Sequence, residues 1–515
     1  MPTGFKWELG AYVGGSFAVH PNYKQYLAVE TPGHDQQAVG EITISPGQSG
    51  QIQISGLGFT PTALVMVSYR PQNANGVADN AFGNRGGGMT FGCAGWETGA
   101  DEWEPGTYNA GEFVMHEAQL YECVAPGPGF TTTDEPPSAD WAEVLPTQFT
   151  GSTKIRHAFE TVYAIWREDV CFNVMHKGFT ALTLSLDSFD VGGFTLNIDL
   201  NLYDQSNPVA WLAIGGNNTV GIMDAGQTEI TGFNGTPSGA MFLSIKLLES
   251  EAGIIKSGYW DHMTGFASPG EGAVVWGGAI PTSWTWTTER WEDAYPILLC
   301  RAASGTSFAG TQIEARGQVT DWVPGGIELQ WPVFNNQPYR IGYLLVEMGD
   351  AGWFEANAEK KPGGIEVGPD GVTNFENTTV RPDLVLMAST NYTFNGQGGV
   401  TYDDFPRLPN QFQFCGGGGL GFHASPYSRL GFDAYGVHTY GNAVAERGHY
   451  ANSGTQYLRR WIMAGQGCTS QPPAYHQHSV NIVPNPVIVG INYRYAERHA
   501  HVKRIHVNPS DRYIP

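Results

Sequence analysis

The sequence predicts an all-β protein of three tandem β-sandwich (jelly-roll-like) repeats, the first interrupted by a small three-stranded module. Composition is the first reason. Of 515 residues, 68 are Gly and 32 are Pro, while charged residues make up only 15%, against a usual share of ~25%. Short strands joined by tight turns use residues this way. Hydropathy alternation is the second. Phe194-Thr-Leu-Asn-Ile-Asp-Leu-Asn-Leu puts its apolar residues on one side of an extended chain, the period of two that marks a half-buried strand. Long amphipathic helical patterns are hard to find.

Repetition is the third reason. Cys171 to Ile214 contains Phe189-Asp-Val-Gly-Gly-Phe and then Asn207-Pro-Val-Ala-Trp-Leu-Ala-Ile. Cys300 to Leu345 contains Trp322-Val-Pro-Gly-Gly-Ile and then Gln337-Pro-Tyr-Arg-Ile-Gly-Tyr-Leu-Leu. The interval from Cys to Pro is nearly equal in the two, which matches Cys171 with Cys300. A shorter echo runs from Asn481 to Tyr493. An opening element also recurs, at Ile54-Ser-Gly-Leu-Gly-Phe-Thr-Pro, Ile230-Thr-Gly-Phe-Asn-Gly-Thr-Pro and Val372-Thr-Asn-Phe-Glu-Asn-Thr-Thr. Each is a turn followed by an apolar run too short for a lone helix. Internal repetition of this kind constrains the fold before any single motif does.

Taken in order, residues 1–40 show no period and read as an N-terminal arm or anchor. The first repeat spans 41–227. It opens on Glu41-Ile-Thr-Ile-Ser and Gln51-Ile-Gln-Ile-Ser around Pro46-Gly-Gln-Ser-Gly, a hairpin signal, and an unlike segment at 96–147 interrupts it. The second repeat spans 228–355, with an unusual density of Trp between its halves. A polar linker at 356–371 leads to the third repeat at 372–495. Residues 496–515 form a basic tail on an otherwise acidic chain.

The formal net charge of −22 argues against a nucleic-acid surface, which needs a basic footprint. No apolar run approaches the ~18 residues of a membrane span, and Met1-Pro-Thr-Gly-Phe-Lys-Trp-Glu lacks the layout of a secretion signal. Synthesis in a cytoplasm without membrane insertion is the expectation. Six cysteines without a Cys-x-x-Cys pair read as buried reduced thiols, not a disulfide framework.

The inserted segment carries Trp103-Glu-Pro-Gly-Thr-Tyr-Asn-Ala-Gly-Glu-Phe-Val-Met, then Leu120-Tyr-Glu-Cys, then Pro136-Pro-Ser-Ala-Asp-Trp. Over about fifty residues this resembles small carbohydrate-binding modules of the chitin-binding type. The resemblance implies a three-stranded minidomain with Gly111 opening a strand and Trp103 and Trp141 closing a tiny core. It also implies sugar binding by aromatic faces, with Trp103, Tyr108, Tyr121, Phe130 and Trp141 as the candidates. In that family the binding surface includes adjacent aromatics after the second strand. Here the loop reads Val124-Ala-Pro-Gly-Pro-Gly-Phe, so Phe130 alone could serve at that place.

Other motifs carry less. Gly416-Gly-Gly-Gly-Leu-Gly has no βαβ setting, no Walker lysine follows a Gly-rich loop, and neither Gly-x-Ser-x-Gly nor His-Glu-x-x-His occurs. No cofactor is expected. His476 with His478, and His499 with His501, have the two-residue spacing that aims strand side chains to one side. On a three-fold axis they could converge on a metal, although exposed or core histidines are the plainer reading. Carboxylates are numerous, but a glycosidase pair is defined by spatial separation, so glycan cleavage stays an alternative without named residues.

The repeated opener, its Gly-rich sequel and the inserted module resemble minor tail and fibre-type virion proteins of tailed bacteriophages in layout. That resemblance implies a non-catalytic virion component that binds host envelope glycan. Its partners would be other virion proteins and that glycan, in a homo-oligomer with a trimer favoured. A purely architectural head or tail decoration is the first alternative, and a glycan depolymerase the second.

Overall fold

The structure is a computed structural model describing residues 36–347, apart from 69–89, 125–130, 155–162, 177–178, 204–206, 258–259, 282–284, 294 and 302–311. Over 275–293, and outside 36–347, it describes strand backbones without side chains.

The chain is all-β, built from several antiparallel sheets, with no α-helix among the described residues. First come β1 (Phe5–Val13) and β2 (Tyr23–Val29). The first sandwich begins with β3 (Gln37–Ile44), β4 (Gly50–Ser55), β5 (Pro61–Ser68) and β6 (Thr90–Gly95). The insert follows, with β7 (Tyr108–Asn109), β8 (Phe113–His116), β9 (Gln119–Cys123), β10 (Thr131–Thr132) and β11 (Trp141–Val144). The sandwich resumes with β12 (Thr147–Lys154), β13 (Tyr163–Arg167), β14 (Phe172–His176), β15 (Phe179–Asp190), β16 (Gly193–Asn201) and β17 (Asn207–Gly215).

The second sandwich holds β18 (Asn218–Asp224), β19 (Glu229–Ile230) and β20 (Gly239–Ser244). After β21 (Lys256–Ser257) it continues through β22 (Trp260–Ser268), β23 (Glu271–Pro281), β24 (Thr285–Asp293) and β25 (Ile297–Arg301). It ends with β26 (Gln312–Val323), β27 (Gly326–Phe334) and β28 (Arg340–Val346). The rest of the chain supplies β29 (Phe354–Lys360), β30 (Val372–Phe375), β31 (Leu384–Ser389), β32 (Val400–Thr401), β33 (Gln413–Phe414), β34 (Leu420–Ala424) and β35 (Tyr427–Leu430). Last are β36 (Ala443–Ala451), β37 (Gln456–Ala464), β38 (Val489–Ile491) and β39 (Arg512–Tyr513).

In the first sandwich a seven-stranded sheet, β21-β13-β12-β6-β5-β17-β3, faces the four-stranded β14-β15-β16-β4. In the second, β18-β28-β20-β22-β23-β24-β32 faces β19-β27-β26-β25. Leaving the edge strands β21 and β32 aside, the two strand orders are the same. Glycines sit at matching crossings. A Cβ on Gly92 would lie 1.7 Å from the Cys171 carbonyl oxygen, and one on Gly265 1.6 Å from that of Pro296. A Cβ on Gly193 would meet Ile54 O at 1.9 Å, and one on Gly326 would meet Ile230 O at 1.7 Å. Cys171 therefore corresponds to Pro296, not to Cys300 as the cysteine spacing suggested. The spacing agreed because Cys300 sits farther along its strand, ahead of a longer connection to β26.

The central strands of the long sheets, β5, β6 and β17 in one and β20 and β28 in the other, are buried on both faces, which is why they read as continuous apolar runs. In β5, Leu64 and Met66 point into the sandwich, while Val65 and Val67 point away from it into a second core. In β28, Ile341, Tyr343 and Leu345 line the second sandwich, whereas Leu344 and Val346 join that same second core. The two long sheets thus pack directly on each other. At their contact the Phe149 ring stacks on Trp166, centroids 5.3 Å apart, and lies against Gly342, where a Cβ would meet the ring at 2.0 Å. Beside it, Arg340 of the second sandwich forks onto Glu168 of the first at 2.6 and 2.8 Å and reaches Asp224 at 3.1 Å. Burial would raise the Glu168 carboxyl, but hydrogen bonds donated by Arg340 and Trp166 hold it below its ordinary value.

Several boundaries differ from those expected. β18 already belongs to the second sandwich, and β29 falls where a linker was expected. The N-terminal segment is not a separate arm: β2 lies between β29 and β31, and β1 between β37 and β38. Its strand backbone finds its hydrogen-bond partners at the far end of the chain, a pairing that local sequence pattern does not encode.

Gly342→Ala should cost about 1–3 kcal/mol by forcing the Phe149 ring off its seat. Phe149→Leu should recover part of that loss in the double variant. Denaturant titration of both singles and the double checks this, and simple additivity would remove the proposed contact.

Candidate functional site

The insert grows out of a hairpin. In the second sandwich, β22 and β23 join through Pro269-Gly270, with Ser268 paired to Glu271. In the first sandwich the equivalent strands β6 and β12 still pair at Gly95 and Thr147, and the module fills the place of the turn.

Its sheet runs β11-β9-β8, with β10 and β7 as a separate pair. Alternation gives β8 and β9 two useful faces. Met115 and Leu120 point into the core of the first sandwich, which also holds Trp96 and Phe189. Val114 and Cys123 point the other way, into a small core with Trp141, against which Trp103, Tyr108 and Tyr121 pack. The β8–β9 turn places Glu117 and Ala118 at φ 49° and 69°, the left-handed geometry that a two-residue hairpin needs.

Polar contacts fasten the module at its base. Gln119 Nε2 donates to Phe189 O at 3.2 Å. Asn234 of the second sandwich donates to Asp101 at 2.8 Å, and Gly99 N donates to Gly232 O at 2.8 Å. The module is therefore seated against both sandwiches.

The candidate sugar-binding aromatics divide by burial. Trp141 is only 6% exposed, its indole N–H donates to Asp134 O at 2.8 Å, and Tyr108 meets its ring edge-on at 5.3 Å. It has no open face for a pyranose ring. Trp103, Tyr108 and Tyr121 are half-buried around it. Tyr108 donates its hydroxyl to Glu104 O at 2.7 Å, and Trp103 meets His116 edge-on at 5.7 Å. Phe130 lies outside the described residues, as do His476, His478, His499 and His501. No group of three or more metal-ligating side chains occurs among the described residues. Cys93, Cys123, Cys171 and Cys300 are buried cysteines outside any disulfide, and burial raises the first and third far above the usual thiol range.

One charged constellation was not visible in the sequence. Lys246, at the end of the second sandwich, reaches Asp261 at 3.0 Å, Glu314 at 3.1 Å and Cys300 O at 2.5 Å. Tyr339 donates to Glu314 at 3.0 Å. These residues lie on or beside five strands, β20, β22, β25, β26 and β28, so no motif links them. Burial works against the Lys246 ammonium, yet Asp261 and Glu314 override it and hold its pKa above the usual lysine value. Burial pushes the Asp261 carboxyl up to about 6, with Lys246 pulling against it. Three acceptors match the three protons of an ammonium, so the cluster suits an ionic fastener better than a nucleophilic amine. It also holds Lys246 at φ 56°, a backbone conformation that costs a non-glycine residue about 1–2 kcal/mol.

No family model matches this chain, and no curated protein matches it.

Lys246→Met should leave the buried Asp261 carboxylate facing the half-buried Glu314 without a cation and cost about 3–5 kcal/mol. Asp261, which burial already pushes up to about 6, would lose the ammonium that pulls it down and rise further, which favours the folded state at low pH and is lost as pH rises. The deficit should therefore be smaller at pH 5 than at pH 8 in chemical denaturation; a pH-independent deficit would contradict the ionic role.

Proposed function

We propose that this protein is a non-catalytic structural component of a tailed-phage particle that acts as an adhesin toward host envelope glycan. The observation that carries the reading is the inserted module. It has its own aromatic core, replaces a tight turn on an all-β body, and is held at its base by two sandwiches. A contact element seated this way keeps its geometry under load. The half-buried Trp103, Tyr108 and Tyr121 present ring edges and partial faces of the kind that C–H-rich sugar rings pack against.

A second reading, an architectural decoration without a ligand, is favoured by one specific feature. Trp141 and the Tyr108 hydroxyl are already spent on holding the module together, which leaves a smaller aromatic platform than a dedicated sugar site offers.

Glycan-array and host-envelope binding by the full chain separates the two. The adhesin reading expects specific binding, weakened at least tenfold by Tyr121→Ala while the far-ultraviolet circular dichroism stays unchanged. Absence of binding to any host glycan, with assembly into particles intact, would favour the architectural reading.

A further inference from the structure

The sheets containing β1 and β2 follow the plan of the first two sandwiches once these two strands are moved to the other end of the chain. β29, β2, β31, β34 and β35 adjoin in the order of β3, β17, β5, β6 and β12, and of β18, β28, β20, β22 and β23. On the opposite sheet, β36-β37-β1 with β30 on β1 repeats β14-β15-β16-β4 and β25-β26-β27-β19. β1 and β2 therefore stand where β16 and β17 close the first unit and β27 and β28 close the second.

Register agrees residue by residue. Met66 is paired with Gly92 on one side and Trp211 on the other. Phe242 is paired with Gly265 and Tyr343. Met387 is paired with Gly421 and Tyr26. The sequence carries the same mark. Tyr26-Leu-Ala-Val-Glu parallels Tyr343-Leu-Leu-Val-Glu, and Gly4-Phe5 parallels Gly193-Phe194 and Gly326-Ile327.

The contacts between units are also cyclic. β18, the first strand of the second unit, lies on β5, β6 and β12 of the first. β29, the first strand of the third, lies on β22, β23 and β24 of the second, and β3 lies on β34 and β35 of the third. Each unit thus offers the same strand to the same hairpin of its neighbour, and the last interface returns to the first unit. Repetition of one heterologous contact that returns to its start is a closed ring.

We propose that this chain is its own trimer: strands β1 and β2 fill a two-strand site in the third unit of the same molecule and close a three-membered ring. The ligand of that site is an extended segment in which a β16-like strand is followed by a β17-like one. The chain then needs no further copies to complete its symmetry, so it is monomeric where the sequence suggested a homotrimer. A partner on the ring axis meets three related surfaces from one chain, and only one of the three units carries the inserted module. This inference does not depend on glycan binding.

Paired cysteines test it in the full chain. Tyr26→Cys with Met387→Cys places two thiols on opposed residues of an antiparallel pair, whose Cα atoms lie about 4.5–5.5 Å apart, within disulfide reach. Gln25→Cys with Ala388→Cys tests the neighbouring rung, so a pair that disturbs folding is replaced by the other. Mild oxidation followed by non-reducing denaturing electrophoresis should give a faster-migrating band of one chain. Light scattering on the native protein should give the single-chain mass, 55.9 kDa. Disulfide-linked multimers would show the segment exchanged between molecules and overturn closure within one chain; a native mass of three chains would do the same. Absence of any cross-link at either rung would overturn the site itself.

Discussion

The central strands of the two long sheets, β5, β6 and β17 in one and β20 and β28 in the other, have no solvent face, and most of the architecture follows from that constraint. A sheet covered on one side by its own four-stranded partner must still cover the other side, and here it does so against the equivalent sheet of the next sandwich. Burial of a Leu or Phe side chain is worth about 1.5–3 kcal/mol, so exposing this shared layer would leave neither sandwich a stable soluble body. Gly342 and Gly151 hold the layers close, the first by leaving room for Phe149 and the second for Ile245 beside its strand neighbour Phe91. The Arg340–Glu168 fork then fixes the relative placement of the sheets with two parallel charge-assisted hydrogen bonds.

Specialised features are added at positions this packing leaves free. The module occupies a hairpin end, where a turn can be exchanged for a domain without breaking a strand, because its entry and exit residues are already paired neighbours. The Lys246 cluster occupies the other kind of free position, a strand end where a chain reversal needs partners for its polar groups. Neither disturbs the alternation on which the shared core depends.

Much of this was legible in the residues. The alternation that starts at Phe194 is a strand because Phe194, Leu196 and Ile198 are buried while Asp199 reaches solvent, though Leu202 falls past its end and is exposed, and the run from Ala63 to Val67 is uninterrupted because both faces are buried. The module could be read from its Trp, Tyr and Gly spacing because its core is local. Other features could not be read in this way. Cys171 and Cys300 looked equivalent by interval, whereas equivalence is set by backbone crossings at Gly92 and Gly265. The strand at Tyr23 has no local partner to mark it, because the strands it pairs with begin more than three hundred residues later. Lys246, Asp261 and Glu314 meet only through the sheet, and their spacing in sequence carries no trace of it.

If the long sheets truly share one core, the first two sandwiches are a single cooperative unit. Native-state hydrogen exchange followed by mass spectrometry reads this directly. The account predicts that amides of β5 and β17 in one sheet, and of β20 and β28 in the other, exchange slowest and open together with one free energy and one denaturant dependence. Opening of β5 and β17 at a free energy well separated from that of β20 and β28 would mean two independent sandwiches, and would contradict it.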